Sequence, residues 1–353
     1  MTMSAAPGVP ALAPITDRLL HGDAAEVMQK FPAGSVDLIV TSPPYWTAVD
    51  YDAGRSWPSY WAYLDDMQRV WNECARVLRP NGKLCINAPL LPIPKKIVRQ
   101  HTRHLKNLAA DLEQTILLET ELHRYGLFVW QKQTSKMMFG SYPFPGNILE
   151  NNTIEFIHVY VKPGAPPKFP RAVKAANRLS RTEWLDLTQQ VWFMYPQDVK
   201  RGGEHPAPFP EKLPARLIRL YSFGACENFA GETVLDPFAG TGTTCVAAKR
   251  MGRRYVGIDV DERYLQIAAG RLRKARRSEM PLLVGRPKYP GKEELRAMSA
   301  REARSNGKAA ANKHKKQTYG RKVGGPIRRF PDERAGTRAK IRDPGVTSRS
   351  TTP

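Results

Sequence analysis

Two short segments of the 353-residue chain bring together residue types that could do chemistry. The first is Thr41-Ser42-Pro43-Pro44-Tyr45-Trp46, directly after the apolar run Val36–Val40. Paired prolines fix the backbone and carry no N–H of their own. They leave carbonyl oxygens that can accept, Ser42 adds a hydroxyl, and Tyr45 and Trp46 add flat π-faces. Such a set offers acceptors for the two N–H groups of a planar aromatic amine and a surface on which it can stack. An ordinary proline-rich turn under an aromatic cap would use the same residues.

The second segment is Asp236-Pro237-Phe238-Ala239-Gly240-Thr241-Gly242-Thr243-Thr244, after the apolar run Thr233–Leu235. Glycines at 240 and 242 allow close backbone approach to a ligand, and a helix opening there offers unpaired N–H groups. A purely structural strand-to-helix bend would also use them. The next apolar run, Tyr255–Ile258, ends at Asp259, 17 residues after Gly242. An acid at that strand end can accept both hydroxyls of a ribose. Cys245 stands where a dinucleotide fingerprint has its third glycine, and no Lys follows Gly242, which excludes a phosphate-binding P-loop. A nucleoside cofactor without a pyrophosphate fits these residues, S-adenosylmethionine being the common one.

Elements that could position both segments are legible in the hydrophobic pattern. Short apolar strands alternate with amphipathic helices, which predicts a doubly wound α/β sheet. Seven strands are expected, at Arg18–His21, Val36–Val40, Lys83–Asn87, Leu127–Gln131, Thr153–Val161, Thr233–Leu235 and Arg254–Ile258. Helices are expected at Ala24–Lys30, Tyr60–Leu78, Arg181–Val191, Leu213–Ser222, Thr243–Met251 and Glu262–Ala275, with one or two more in Lys96–Arg124. In the Tyr60 helix, Leu64, Met67, Val70, Trp71, Cys74 and Val77 share one face. Residues 1–17 read as a flexible N-terminus, and 18–276 as one catalytic domain with a small polar insertion at 163–204.

The charge is uneven. Of 55 Lys and Arg against 33 Asp and Glu (net +22), residues 271–353 hold 24 against 7. Residues 277–353 are therefore expected to be a basic, largely disordered tail, too poor in large apolar residues to offset its ordering entropy. It would serve either as a solubilising extension or as a tether for nucleic acid. The four cysteines (74, 85, 226 and 245) form no C-x-x-C and no Cys/His grouping, so neither a disulfide framework nor a metal site is expected. No run approaches the ~18 apolar residues of a membrane span, and the N-terminus has no secretory pattern. The expected setting is the cytoplasm, with the protein soluble and held near the nucleoid by DNA.

Taken jointly, the segments resemble the β group of DNA amino-methyltransferases, in particular the Ser-Pro-Pro-Tyr type specific for cytosine N4. In that family an [S/N/D]-P-P-[Y/F] segment is catalytic and an F-x-G-x-G segment binds S-adenosylmethionine; here they are Ser42–Tyr45 and Phe238–Gly242. His21-Gly22-Asp23 resembles the segment whose acid contacts the cofactor's adenine. The stretch from His205 to Leu213 resembles the one flanking its methionine end, and Val256–Asp259 carries the ribose-binding acid. The resemblance spans residues 18–275 in circularly permuted order, catalytic segment first, with target recognition between the halves. Protein-glutamine and RNA methyltransferases that share such a segment usually place the Gly-rich loop first.

The resemblance implies a seven-stranded, Rossmann-like methyltransferase sheet. It implies Ser42, Pro43, Pro44 and Tyr45 as catalytic residues, and Asp23, His205, Asp236, Phe238, Gly240, Gly242 and Asp259 as cofactor-binding ones. It further implies S-adenosyl-L-methionine as cofactor, double-stranded DNA as substrate, recognition through residues 163–204, and a cognate restriction endonuclease as a possible partner. The reaction would be methylation of cytosine N4 by base flipping and in-line transfer. N6-adenine methylation and a non-catalytic DNA-binding relative are the alternatives.

For the tail, the tether reading makes the sharper prediction. Removing residues 286–353 should weaken DNA binding and flatten its salt dependence, by about 0.9 in log–log slope for each phosphate no longer neutralised. Equal slopes with and without the tail would leave only the solubilising role.

Overall fold

The computed structural model describes residues 15–46, 57–93, 104–132, 141, 144–150, 152–194, 209–278, 282 and 284. Strands are β1 Arg18–His21, β2 Val36–Thr41, β3 Leu78–Ile93, β4 His104–Asn107, β5 His123–Lys132, β6 Ile154–Val161, β7 Val191–Met194, β8 Thr233–Asp236 and β9 Arg254–Asp259. Helices are α1 Ala24–Met28, α2 Tyr60–Val77, α3 Leu108–Glu119, α4 Arg171–Ala176, α5 Arg181–Leu187, α6 Lys212–Tyr221, α7 Thr243–Arg250 and α8 Glu262–Lys274.

The strands form one mixed sheet in the order β1-β9-β8-β2-β3-β6-β5-β7, with β4 pairing off β3. From β1 to β3 all neighbours are parallel, and β6 then runs antiparallel between β3 and β5. Its central strands are apolar on both sides, as expected for parallel strands covered on both faces. In β2, Ile39 packs into the core that also holds Tyr63, Met67 and Trp71 of α2. Leu38 and Val40 pack into the opposite core, with Leu217 of α6 and Ala247 of α7.

All seven expected strands are present, and two more join them. β7 comes from inside the expected insertion: Val191-Trp192-Phe193-Met194 pairs in parallel with β5. Its β-branched and aromatic residues suit a pleated surface, and Trp192 is fully buried, its ring centroid 4.5 Å from that of Phe128. The 163–204 region is thus partly built into the sheet edge, and the helix expected as far as Val191 stops at Leu187. Within Lys96–Arg124, where only helix was expected, His104–Asn107 pairs antiparallel with the extended end of β3. Asn107 starts α3 by accepting the Ala110 N–H at 3.2 Å.

Topology places the chemistry. β8 leads through α7 to β9, while β2 leads through α2 to β3, on opposite sides of the β8/β2 pair. This is a topological switch point, and open α/β sheets bind ligands outside the carboxyl ends of strands at such points. Leu38 and Ile39 align with Val234 and Leu235, so Thr41 and Asp236 emerge side by side. His21 and Asp259 pair at the ends of β1 and β9 along the same edge. Among the described residues no helix is long and apolar enough to cross a membrane.

Candidate active site

Asp236 ends β8 with 1% of its surface exposed. Its Oδ1 accepts the Thr41 hydroxyl at 2.7 Å and the Phe238 N–H at 3.1 Å. Burial pushes its carboxyl up to about 6, against the donors Thr41, Thr244 and the Phe238 N–H, which favour the charged form; the charge of Asp259 adds to the rise. Thr244 Oγ1 also lies 3.4 Å from the Val40 carbonyl, the alternative acceptor for its single proton. The glycine-rich loop and the proline-rich segment, 195 residues apart in sequence, are thereby joined directly.

The loop itself is set by backbone geometry. Gly240 and Gly242 have φ of 49° and 78°, and Gly242 caps α7 from that left-handed conformation. A Cβ at Gly242 would lie 2.7 Å from that of Ala268 in α8, so this glycine is required by helix packing as well as by the turn. Asp259 holds the loop from the side: its Oδ2 accepts the Gly240 N–H at 2.7 Å and its Oδ1 the Asp261 N–H at 2.9 Å. Phe238 is half-buried with its ring edge-on to Trp71, centroids 6.2 Å apart.

In the other segment, Pro43 is buried and Ser42 and Pro44 are half-buried. Ser42 Oγ donates to the Asn87 carbonyl at 3.0 Å and lies 2.8 Å from the Tyr45 hydroxyl. Tyr45 is 9% exposed and packs in the core rather than offering an open stacking face. Trp46 lies against Tyr60, ring centroids 5.0 Å apart. Behind Ser42 is a buried carboxylate, Glu155 at the start of β6. Glu155 Oε2 accepts Asn87 Nδ2 at 2.6 Å and the Tyr45 hydroxyl at 3.4 Å, and Oε1 pairs with Lys132 Nζ at 2.9 Å.

Asp23 caps α1, its Oδ1 accepting the N–H groups of Ala25 at 3.0 Å and Glu26 at 3.2 Å. His21 reaches the Val260 carbonyl at 3.0 Å, which links β1 to the end of β9. His205 lies outside the described residues. The structure thus brings Ser42–Tyr45, Asp236, Phe238, Gly240, Gly242 and Asp259 to one edge of the sheet. It adds Asn87, Lys132 and Glu155, which motif spacing did not single out, and gives Thr41, at the head of the first segment, its link to Asp236. A carboxylate inside the apolar strand Ile154–Val161 is a usable signal, since Glu is rarely buried without partners. The cations Lys168, Arg171, Lys174, Arg178 and Arg181 are all exposed.

Comparison with known proteins agrees with this architecture. Residues 36–270 match the DNA methylase family of N6 and N4 methyltransferases. TTHA0409 of Thermus thermophilus, crystallised with S-adenosyl-L-methionine, is 34% identical with a TM-score of 0.59, covering 73% of this chain and 95% of its own. The type II methyltransferase M.MjaI of Methanocaldococcus jannaschii is 27% identical over 69% of this chain and 87% of its own. The cytosine-N4-specific PvuII DNA methyltransferase, 18% identical with a TM-score of 0.53, shares the fold.

The buried carboxyl at the junction has a measurable pH signature. An acid whose native pKa exceeds its unfolded value is protonated first in the folded state, so its burial penalty is absent at low pH and grows as pH rises. For Asp236 that window runs from about 4 to about 6. The unfolding free energy of the wild type relative to Asp236→Asn should fall by roughly 3 kcal/mol across it and level off above. Denaturant titrations giving parallel pH profiles would contradict the assignment.

Proposed function

The chain belongs to the N6/N4 DNA methylase family, and from that membership we propose that it is a site-specific DNA methyltransferase acting on the exocyclic N4 of cytosine with S-adenosyl-L-methionine as donor. The observation that carries the reading is the meeting of Ser42–Tyr45 with the glycine-rich loop at the switch point, through the Thr41–Asp236 hydrogen bond. Neither segment could act alone.

The residues present suit a nucleoside cofactor. The Asp259 carboxylate is held at both oxygens by backbone N–H groups, and each carboxylate oxygen can accept more than one hydrogen bond. A ribose diol could therefore bind without reorienting it. Phe238 would flank the nucleoside, and Asp23, stationed at the start of α1, would meet its adenine. When bound, S-adenosylmethionine supplies an electrophilic methyl group on a sulfonium.

The chain's own task is to make a poor nucleophile available. The lone pair of an exocyclic amine is delocalised into its ring. Ser42 Oγ and the Pro43 carbonyl would accept its two N–H bonds and favour a tetrahedral nitrogen whose lone pair faces the methyl. Holding the two reactants in line supplies much of the acceleration, because the gain is one of effective molarity. A base in duplex DNA must first be flipped out of the stack. The exposed cations between Lys168 and Arg181 are placed on the surface of the region proposed to contact DNA, where they could meet phosphates or guanines. A restriction endonuclease with the same target sequence would be the matching partner.

Cytosine is favoured over adenine by Ser42, since adenine-specific members of the resembled group usually carry Asp or Asn there. The test is to incubate DNA with the protein and S-adenosylmethionine, digest to nucleosides and identify the products by mass spectrometry. N4-methyldeoxycytidine is expected, and Ser42→Ala should lose most turnover with cofactor affinity intact. N6-methyldeoxyadenosine alone would move the assignment to adenine, and no methylated nucleoside would overturn the reading.

A further inference from the structure

A hydroxyl is an ambiguous partner for an amine, because it can donate as well as accept. At Ser42 the surroundings remove the ambiguity. Among the described residues its single proton has two destinations, the Asn87 backbone carbonyl at 3.0 Å and the Tyr45 oxygen at 2.8 Å. Both lie within the protein. The second is open only when Tyr45 sends its own proton elsewhere, and Glu155 Oε2, at 3.4 Å, is an acceptor for it. When Ser42 bonds the Asn87 carbonyl instead, Tyr45 can donate to Ser42. In either arrangement Ser42 Oγ keeps a lone pair and has no proton left to offer outward.

Glu155 anchors this arrangement. It is 8% exposed, and as a carboxylate it only accepts. Its Oε2 takes the Asn87 amide at 2.6 Å, which fixes the amide's orientation, since the reverse flip would set oxygen against oxygen. Among the described residues Asn87 Oδ1 is buried without a partner, a cost of that orientation. Lys132, pairing at 2.9 Å, balances the buried charge. Asn87 and Glu155 stand on neighbouring antiparallel strands, Glu155 opposite Pro89, so the sheet register sets their approach.

We propose that Glu155 is a positioning residue for methyl transfer: through Tyr45 and Asn87 it turns the Ser42 proton inward and leaves Ser42 Oγ as an acceptor for the amine of the target base. The inference rests on the amino-methyltransferase reading above. Glu155 itself touches neither base nor cofactor in this account.

The experiment is a single-turnover assay with radiolabelled S-adenosylmethionine and DNA from an unmethylated host, using Glu155→Gln, Ser42→Ala and the double variant. Glutamine keeps the size but presents an amide donor to the network. Glu155→Gln should slow transfer at saturating DNA by roughly ten- to a hundredfold, with the Kd for S-adenosylmethionine and the KM for DNA within about twofold of wild type. In the Ser42→Ala background the same substitution should change nothing, because its only route of action has been removed. Tyr45→Phe, which deletes one hydroxyl, should reproduce the slowing if Glu155→Gln folds poorly. Equal losses from Glu155→Gln with and without Ser42, or unchanged transfer in both Glu155→Gln and Tyr45→Phe, would overturn the proposal. A wild-type protein that methylates no DNA would instead defeat the functional reading on which it rests.

Discussion

Between the ends of β2 and β8 a buried carboxylate accepts a hydrogen bond from a threonine that reaches it across 195 residues of sequence. Desolvating a carboxylate is costly unless it is hydrogen-bonded, and the donors of Asp236 come from both halves of the site: Thr41 from the end of β2, the Phe238 N–H and Thr244 from the glycine-rich loop and α7. Displacing either segment would strand that charge. The same carboxylate therefore sets where the proline-rich segment stands relative to the loop, and with it where an amine would stand relative to a methyl donor. Asp259 extends the arrangement outward by fastening Gly240 to the end of β9.

This explains why two motifs 195 residues apart in sequence meet at one edge of the sheet. In a parallel sheet, neighbours need not be consecutive, and the β8/β2 pair joins the last strands to an early one. Helices on both faces keep the pair dry. Tyr63, Met67 and Trp71 of α2 seal one face, and Leu217 of α6 with Ala247 and Ala248 of α7 seal the other. A junction this dry strengthens hydrogen bonds to the Asp236 carboxylate and raises the penalty for losing one.

Much of this was legible in residues 18–276 because the signals are local. Strands such as Val36–Val40 and Thr233–Leu235 are apolar runs closed by Pro or Gly, and Gly240 and Gly242 mark the turn that only glycine makes easily. Asp259 was legible from its place at a strand end. The missing parts depend on pairing between distant segments. No strand was expected at Val191–Met194, beyond a helix carried only as far as Val191, because that short apolar run becomes a strand through its partner β5. Glu155 and Asn87 carry no motif, and their meaning comes from the β3/β6 register. Asp236 and Asp23, which the resemblance implies as cofactor contacts, also have internal tasks, Asp236 as the acceptor for Thr41 and Asp23 as the cap of α1.

The most direct test of the account is the single-turnover rate of methyl transfer, at saturating S-adenosylmethionine and DNA, for Thr41→Val beside Thr41→Ser. Serine keeps the hydroxyl that Asp236 accepts, whereas valine keeps the shape and removes it. The account predicts that valine slows transfer by tenfold or more, roughly what a small misplacement of reacting groups costs, while serine stays within about threefold of wild type. A valine variant that binds both substrates and transfers methyl as fast as the wild type would show that the junction does not position the site.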